Sequence, residues 1–118
     1  MEFVPSKTLF RSGWTTTLDR VRSGEALAIL QRGKPAAALL PYSLWQRAAA
    51  DAPVSEDKQQ TNSSHEVREN LRARREDASL RGRHTMITWH GSSEPEVVLA
   101  PYDWALEALP ELGDLATD

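Results

Sequence analysis

The sequence contains no cysteine. That excludes disulfides, thiolate nucleophiles and cysteine zinc sites together, and it fits a cytoplasmic protein. No apolar run approaches the roughly 18 residues of a membrane span. The opening Met1-Glu2-Phe3-Val4-Pro5 lacks the apolar core of a signal peptide. There is no glycine-rich phosphate loop, and no serine, histidine and acid are spaced for nucleophilic catalysis. His84 and His90 share a face if 84–90 is one continuous strand, with His65 elsewhere, and neither arrangement supplies the close, carboxylate-backed ligands of a metal site. No enzyme, cofactor or metal is therefore expected. Lysine and arginine are also missing from residue 84 onward, where seven acids give −7.

What is present is unevenly spread. The 118 residues suit one ordinary domain or two very small ones, with 40% hydrophobic and 26% charged residues, the balance of a soluble globular chain. Residues 1–50 hold seven bases against three acids, +4, and residues 65–83 six arginines against four acids, +2. A basic front and an acidic end suggest different partners, although charge of this kind also scatters over ordinary solvated faces.

Laid over itself, the chain repeats. Gly24, Ile29 and Gly33 recur 58 residues later as Gly82, Ile87 and Gly91. Pro35, Leu39, Pro41 and Tyr42 recur 60 residues later as Pro95, Leu99, Pro101 and Tyr102, as if Ser92-Ser93 had been inserted at a hairpin tip. Each copy reads as helix, β-hairpin, helix. Phe10, Trp14, Leu18 and Val21 form an apolar stripe, with a break predicted near Gly13. Ser63 and Glu66 form a candidate capping box for a helix running to about Leu80, with Val67, Leu71 and Ala78 inward. Ala26–Leu30 is apolar throughout, so both faces of its strand should be covered. Ser43 and Asp103 stand where helix N-caps belong, and Pro110 where the last helix should stop. The expected organisation is a first repeat over 1–50, a flexible polar linker over 51–62, a second repeat over 63–112 and a tail over 113–118. A copy of about 50 residues is a marginal core alone, so the copies should pack together or dimerise.

Ser6-Lys7-Thr8-Leu9-Phe10-Arg11, Trp14, Leu18, Val21, Gly24 and the run Ile29-x-x-Arg32-Gly33-Lys34-Pro35-Ala36-Ala37-Ala38-Leu39 with Tyr42-x-x-Trp45 resemble the N-terminal domain of prevent-host-death (Phd/YefM-like) antitoxins. The second copy resembles it more loosely through Val67–Leu71, Gly82, Ile87, Gly91, Pro95, Leu99 and Tyr102. The resemblance implies an α+β fold in which strands from two copies join into a shared antiparallel sheet, as a homodimer or an intramolecular pseudo-dimer. It implies double-stranded operator DNA as a partner, autoregulation of an operon, and a C-terminal tail that neutralises a cognate toxin. This chain carries a second copy where that tail is expected, which puts toxin neutralisation in more doubt than DNA binding.

By matching position, Arg11 and Arg32 resemble the family's DNA-contacting arginines; Lys7 and Lys34 would add phosphate contacts, and Arg68 stands opposite Arg11 in the second copy. The alternative for each is an ordinary surface base. The run Arg72-Ala73-Arg74-Arg75, with Arg81 and Arg83, reads equally as a nucleic-acid patch or as a solvated helix with i,i+4 ion pairs to Glu69, Glu76 and Asp77. Trp14 and Trp45 read as core. Trp89 and Trp104 are core or a partner-binding face. The function expected is a DNA-binding transcriptional repressor of the antitoxin type. The rivals are an inhibitor whose acidic second repeat covers a basic toxin, and a stand-alone plasmid or phage regulator.

Overall fold

The two apolar runs of each half become neighbouring strands of one sheet. The computed structural model describes residues 1–9, 12–89 and 92–117, without the side chains of Ser12 and 114–117. The first half supplies β1 (Glu2–Pro5), a 3-10 turn at Ser6–Leu9, α1 (Ser12–Arg22), β2 (Leu27–Gln31), β3 (Lys34–Pro41) and α2 (Tyr42–Asp51). The second supplies β4 (Gln59–Ser63), α3 (Ser64–Glu69), α4 (Leu71–Arg81), β5 (His84–Thr88), β6 (Val97–Ala100), α5 (Tyr102–Ala108) and α6 (Pro110–Thr117). The strand order is β1-β2-β3-β6-β5-β4. The class is α+β, as expected, but the sheet is mixed and not antiparallel, because β1 runs parallel to β2 and β4 parallel to β5. A helix separates each of those pairs, and a crossover of that length returns the chain in its original direction.

The first strand of each half was not expected. Glu2–Pro5 ends in proline, and Gln59–Ser63 is wholly polar, so neither has the composition of a strand. Both lie at sheet edges, where such residues are tolerated. The linker expected over 51–62 is accordingly shorter, since Gln59–Asn62 belong to β4. The tail expected from Gly113 is helical as far as Thr117.

At the centre of the sheet Leu39 pairs with Leu99, flanked by Ala38 with Ala100 and Leu40 with Val98. Leu39 and Leu99 are equivalents in the repeat, so the register is symmetric about them. The flanking pairs agree: Ile29 faces Ala37 in one half and its equivalent Ile87 faces Val97 in the other. Val4 pairs with Ile29 as Asn62 pairs with Ile87. A pseudo-two-fold axis therefore relates the halves within one chain.

Helices cover both faces. On one, Trp14, Leu18 and Val21 of α1 and Leu71 and Ala78 of α4 bury against Ile29, Leu39, Ile87 and Leu99. On the other, Trp45 and Ala48 of α2, Ala105 of α5 and Leu112 of α6 bury against Ala28, Leu40, Met86 and Val98. Alternate residues of β2 thus enter different cores, which is why its sequence is apolar from Leu27 to Leu30. Phe10 of the stripe lies outside the described residues. Gly13 is required by space, since a Cβ there would stand 1.6 Å from the Thr8 carbonyl oxygen. The Ser63–Glu66 capping box forms, but the helix it opens ends at Glu69 and restarts at Leu71. Ser43 and Asp103 lie inside their helices: Pro41 and Pro101, with φ of −57° and −59°, occupy the caps. Pro110 follows the end of α5 and begins α6.

His84 is buried at 2% exposure, and its Nδ1 accepts a hydrogen bond from Trp45 Nε1 at 2.9 Å. The Trp104 ring meets it edge-on at 4.5 Å. Burial pushes the imidazole down to about 4. The unfolded chain binds this proton near pH 6.5 and the folded chain does not, so stability falls as pH drops from about 6.5 towards 4. His84→Asn keeps an acceptor for Trp45 and removes the titration. Between pH 7 and pH 4.5 the variant should lose roughly 2 kcal/mol less stability than the parent in urea titrations. Leu39→Ala, at the dyad, should cost about 2–5 kcal/mol. Because one sheet carries both halves, it should lower a single unfolding transition and not split it, as followed by tryptophan fluorescence.

Candidate nucleic-acid interface

Three of the first half's bases are already engaged. Arg20 forks between Glu2, at 2.7 Å, and Glu25, at 2.9 Å, and its hydrogen bonds hold both carboxyls below the usual range. Arg22 pairs with Glu96 at 3.0 Å and lies 4.5 Å from the centre of the Trp89 ring. Arg47 pairs with Glu111 at 2.6 Å. Lys7, Arg32, Lys34 and Arg68 differ: all four are exposed, and none makes an ion pair among the described residues. Arg11 lies outside the described residues.

The fold gathers these free cations. Arg32 and Gly33, with φ of 54° and 77°, form a two-residue turn between paired Gln31 and Lys34, so Arg32 and Lys34 project from the hairpin tip. Ser6 Oγ donates to Gln31 Oε1 at 2.7 Å and pins the 3-10 turn beside the end of β2. That contact brings Lys7 and Arg32 to the walls of one cleft. Arg32 also lines a second cleft with Arg72 and Glu76 of α4. Arg72 in turn lines a third with Arg68 of α3. Trp14 Nε1 donates to the Ser64 carbonyl at 3.1 Å and ties the two helical segments of this layer together. Lys7 and Arg32 of one half thus adjoin Arg72 and Arg68 of the other along one side of the molecule.

The arginine run on α4 divides by face. Arg72 reaches Glu76 at 3.1 Å, and Asp77 is approached by Arg74 at 3.1 Å and by Arg81 at 3.3 Å, which is the ion-paired arrangement for those three arginines. Asp77 is itself buried and also accepts from Gln60 at 3.0 Å. Arg75, on the inner side, is 8% exposed, and desolvation pulls its guanidinium down from the ordinary arginine range. The sequence held a clue to this: Arg75 stands between Leu71 and Ala78 at the spacing that Leu18 keeps between Trp14 and Val21, in the inward stripe.

Trp104 donates its indole N–H to the Ala52 carbonyl at 3.1 Å and packs beside Trp45. Trp89 is half-buried beneath Arg22. His65 is exposed, 3.9 Å from Glu69. Among the described residues no three potential ligands gather as a metal site would require, and no helix is long and apolar enough to cross a membrane. No protein-family model matches the chain, and no curated protein or solved structure matches it.

Arginine is a poor residue for the left-handed conformation that Arg32 adopts, whereas asparagine enters it readily. Arg32→Asn should therefore stabilise the fold by about 1 kcal/mol, measured by urea unfolding, while removing a free cation from the cleft.

Proposed function

We propose that this chain is a tandem Phd/YefM-like, DNA-binding transcriptional repressor of the antitoxin type, acting in the cytoplasm on operator DNA. The observation that carries the reading is the row of exposed, uncommitted cations, Lys7, Arg32 and Arg68, joined through Arg72 by adjoining clefts on one layer. Phosphates are met by cations that have no internal partner to surrender, and an arginine at a hairpin tip can present its fork to a guanine edge. Lys34 beside Arg32 adds a further phosphate contact. Arg11 belongs to the same set by its position in the sequence.

A second reading has its own support. The opposite layer exposes Asp51, Asp103, Glu107 and Glu111, of which Glu111 is paired with Arg47. That layer suits a basic protein such as a cognate toxin, and one chain can use both layers.

The test is a gel shift on the DNA upstream of its own gene, at two salt concentrations with non-specific competitor. Specific, salt-sensitive binding is expected. Arg32→Ala and Arg11→Ala should each weaken it by about 1–3 kcal/mol with folding retained. Absence of binding at low salt would leave the protein-inhibitor reading in its place.

A further inference from the structure

A protein with true two-fold symmetry offers the same groups to both halves of its site and so selects palindromic DNA. The frame of this chain has such an axis, between Leu39 and Leu99, but its decoration does not obey it. Lys34, at the first hairpin tip, has Glu94 as its equivalent 60 residues on, and both are exposed. Lys7, in the 3-10 turn, has His65 as its equivalent 58 residues on, standing 3.9 Å from Glu69. Ala36 is answered by Glu96, which neutralises Arg22, the cation that α1 brings to the second tip. Arg22 is further occupied by the Trp89 ring. The second tip is thus acidic where the first is basic. It is also well held, since the Ser92 amide donates to the Trp89 carbonyl and the Glu94 amide to Ser92 Oγ. Among the described residues, the exposed cations with neither an ion pair nor a side-chain hydrogen bond are Lys7, Arg32 and Lys34 around the first tip, with Arg68 and Arg83 from the second half and none from the second tip.

We infer that the site this protein recognises is a non-palindromic duplex, engaged by one chain, with the first half making most of the contacts and the second tip facing the phosphates without a cation to pair with them. The inference rests on the DNA-binding reading above and names the class of DNA. A single chain already contains the two-fold frame that would otherwise need two, so the complex holds one chain per site. Asymmetry of charge over a symmetric backbone then becomes asymmetry of the sequence read.

The full chain, used to select from a random double-stranded library, should enrich a motif without inverted repetition. Native mass spectrometry of the complex should give one chain per duplex. Enrichment of an inverted repeat would overturn the inference while leaving the DNA-binding reading intact. No enrichment of any sequence would overturn both. Glu94→Lys distinguishes the placement of the second tip: it replaces an exposed acid by the residue its counterpart carries. If the tip stands close to the backbone at the dyad-related position, the variant gains a phosphate contact, and the slope of log affinity against log salt steepens by about 0.9. That steepening, with the enriched motif unchanged, is the expected result, because a phosphate contact carries no sequence information. An unchanged slope would show that the second tip does not face DNA, and would overturn the geometry proposed here.

Discussion

What makes one protein of the two halves is the antiparallel pairing of β3 with β6 about Leu39 and Leu99. Three strands and about 50 residues make only a marginal core against the entropy of ordering them. Once β3 meets β6, Ile29, Leu39, Ile87 and Leu99 form one floor beneath α1 and α4. Ala28, Leu40, Met86 and Val98 form another beneath α2 and α5. The same pairing sets the direction of each hairpin, and so puts the two tips at dyad-related places. The positions of Lys7, Arg32, Arg68 and Arg72 follow from it.

Much of this was legible in the sequence because it rests on side-chain burial. The repeat spacing located the equivalents Leu39 and Leu99, and the stripe of Trp14, Leu18 and Val21 located the inward face of α1, all of which are buried. The unbroken apolar run Ala26–Leu30 announced a strand covered on both sides. β1 and β4 were not legible, because an edge strand is held by backbone hydrogen bonds that polar residues make as well as apolar ones. Helix starts were misplaced at Ser43 and Asp103 because the preceding prolines fix the backbone without a side-chain cap. The free cations could be named from sequence, but not told apart from committed ones. Arg20 and Arg32 look alike in a sequence, and only the fold sets Arg20 between two carboxylates.

The second half shows how far a copied core can drift. Where the first half has Val4 and Leu18, the second has Asn62 and Arg75, and beside them Gln60, Asp77 and Thr85 form a hydrogen-bonded set under α4. A polar group buried in this way must find partners, and Gln60 finds two while the Asn62 side-chain oxygen finds none. His84 and Trp45 solve the same problem on the other face with a single hydrogen bond. The apolar first half and the more polar second half share one sheet, so the stronger core steadies the weaker.

The peptide between Ala52 and Lys58 has a further effect. Its ends are fastened, with the Ala52 carbonyl accepting from Trp104 at one and Lys58 Nζ donating to the Arg81 carbonyl at the other. An assembly of two separate chains comes apart as it is diluted, and its stability is inseparable from how much of it a cell contains. Here the encounter of the halves is intramolecular, at an effective concentration set by seven residues of chain and not by expression level. A cell holding only a handful of copies would still hold them fully assembled.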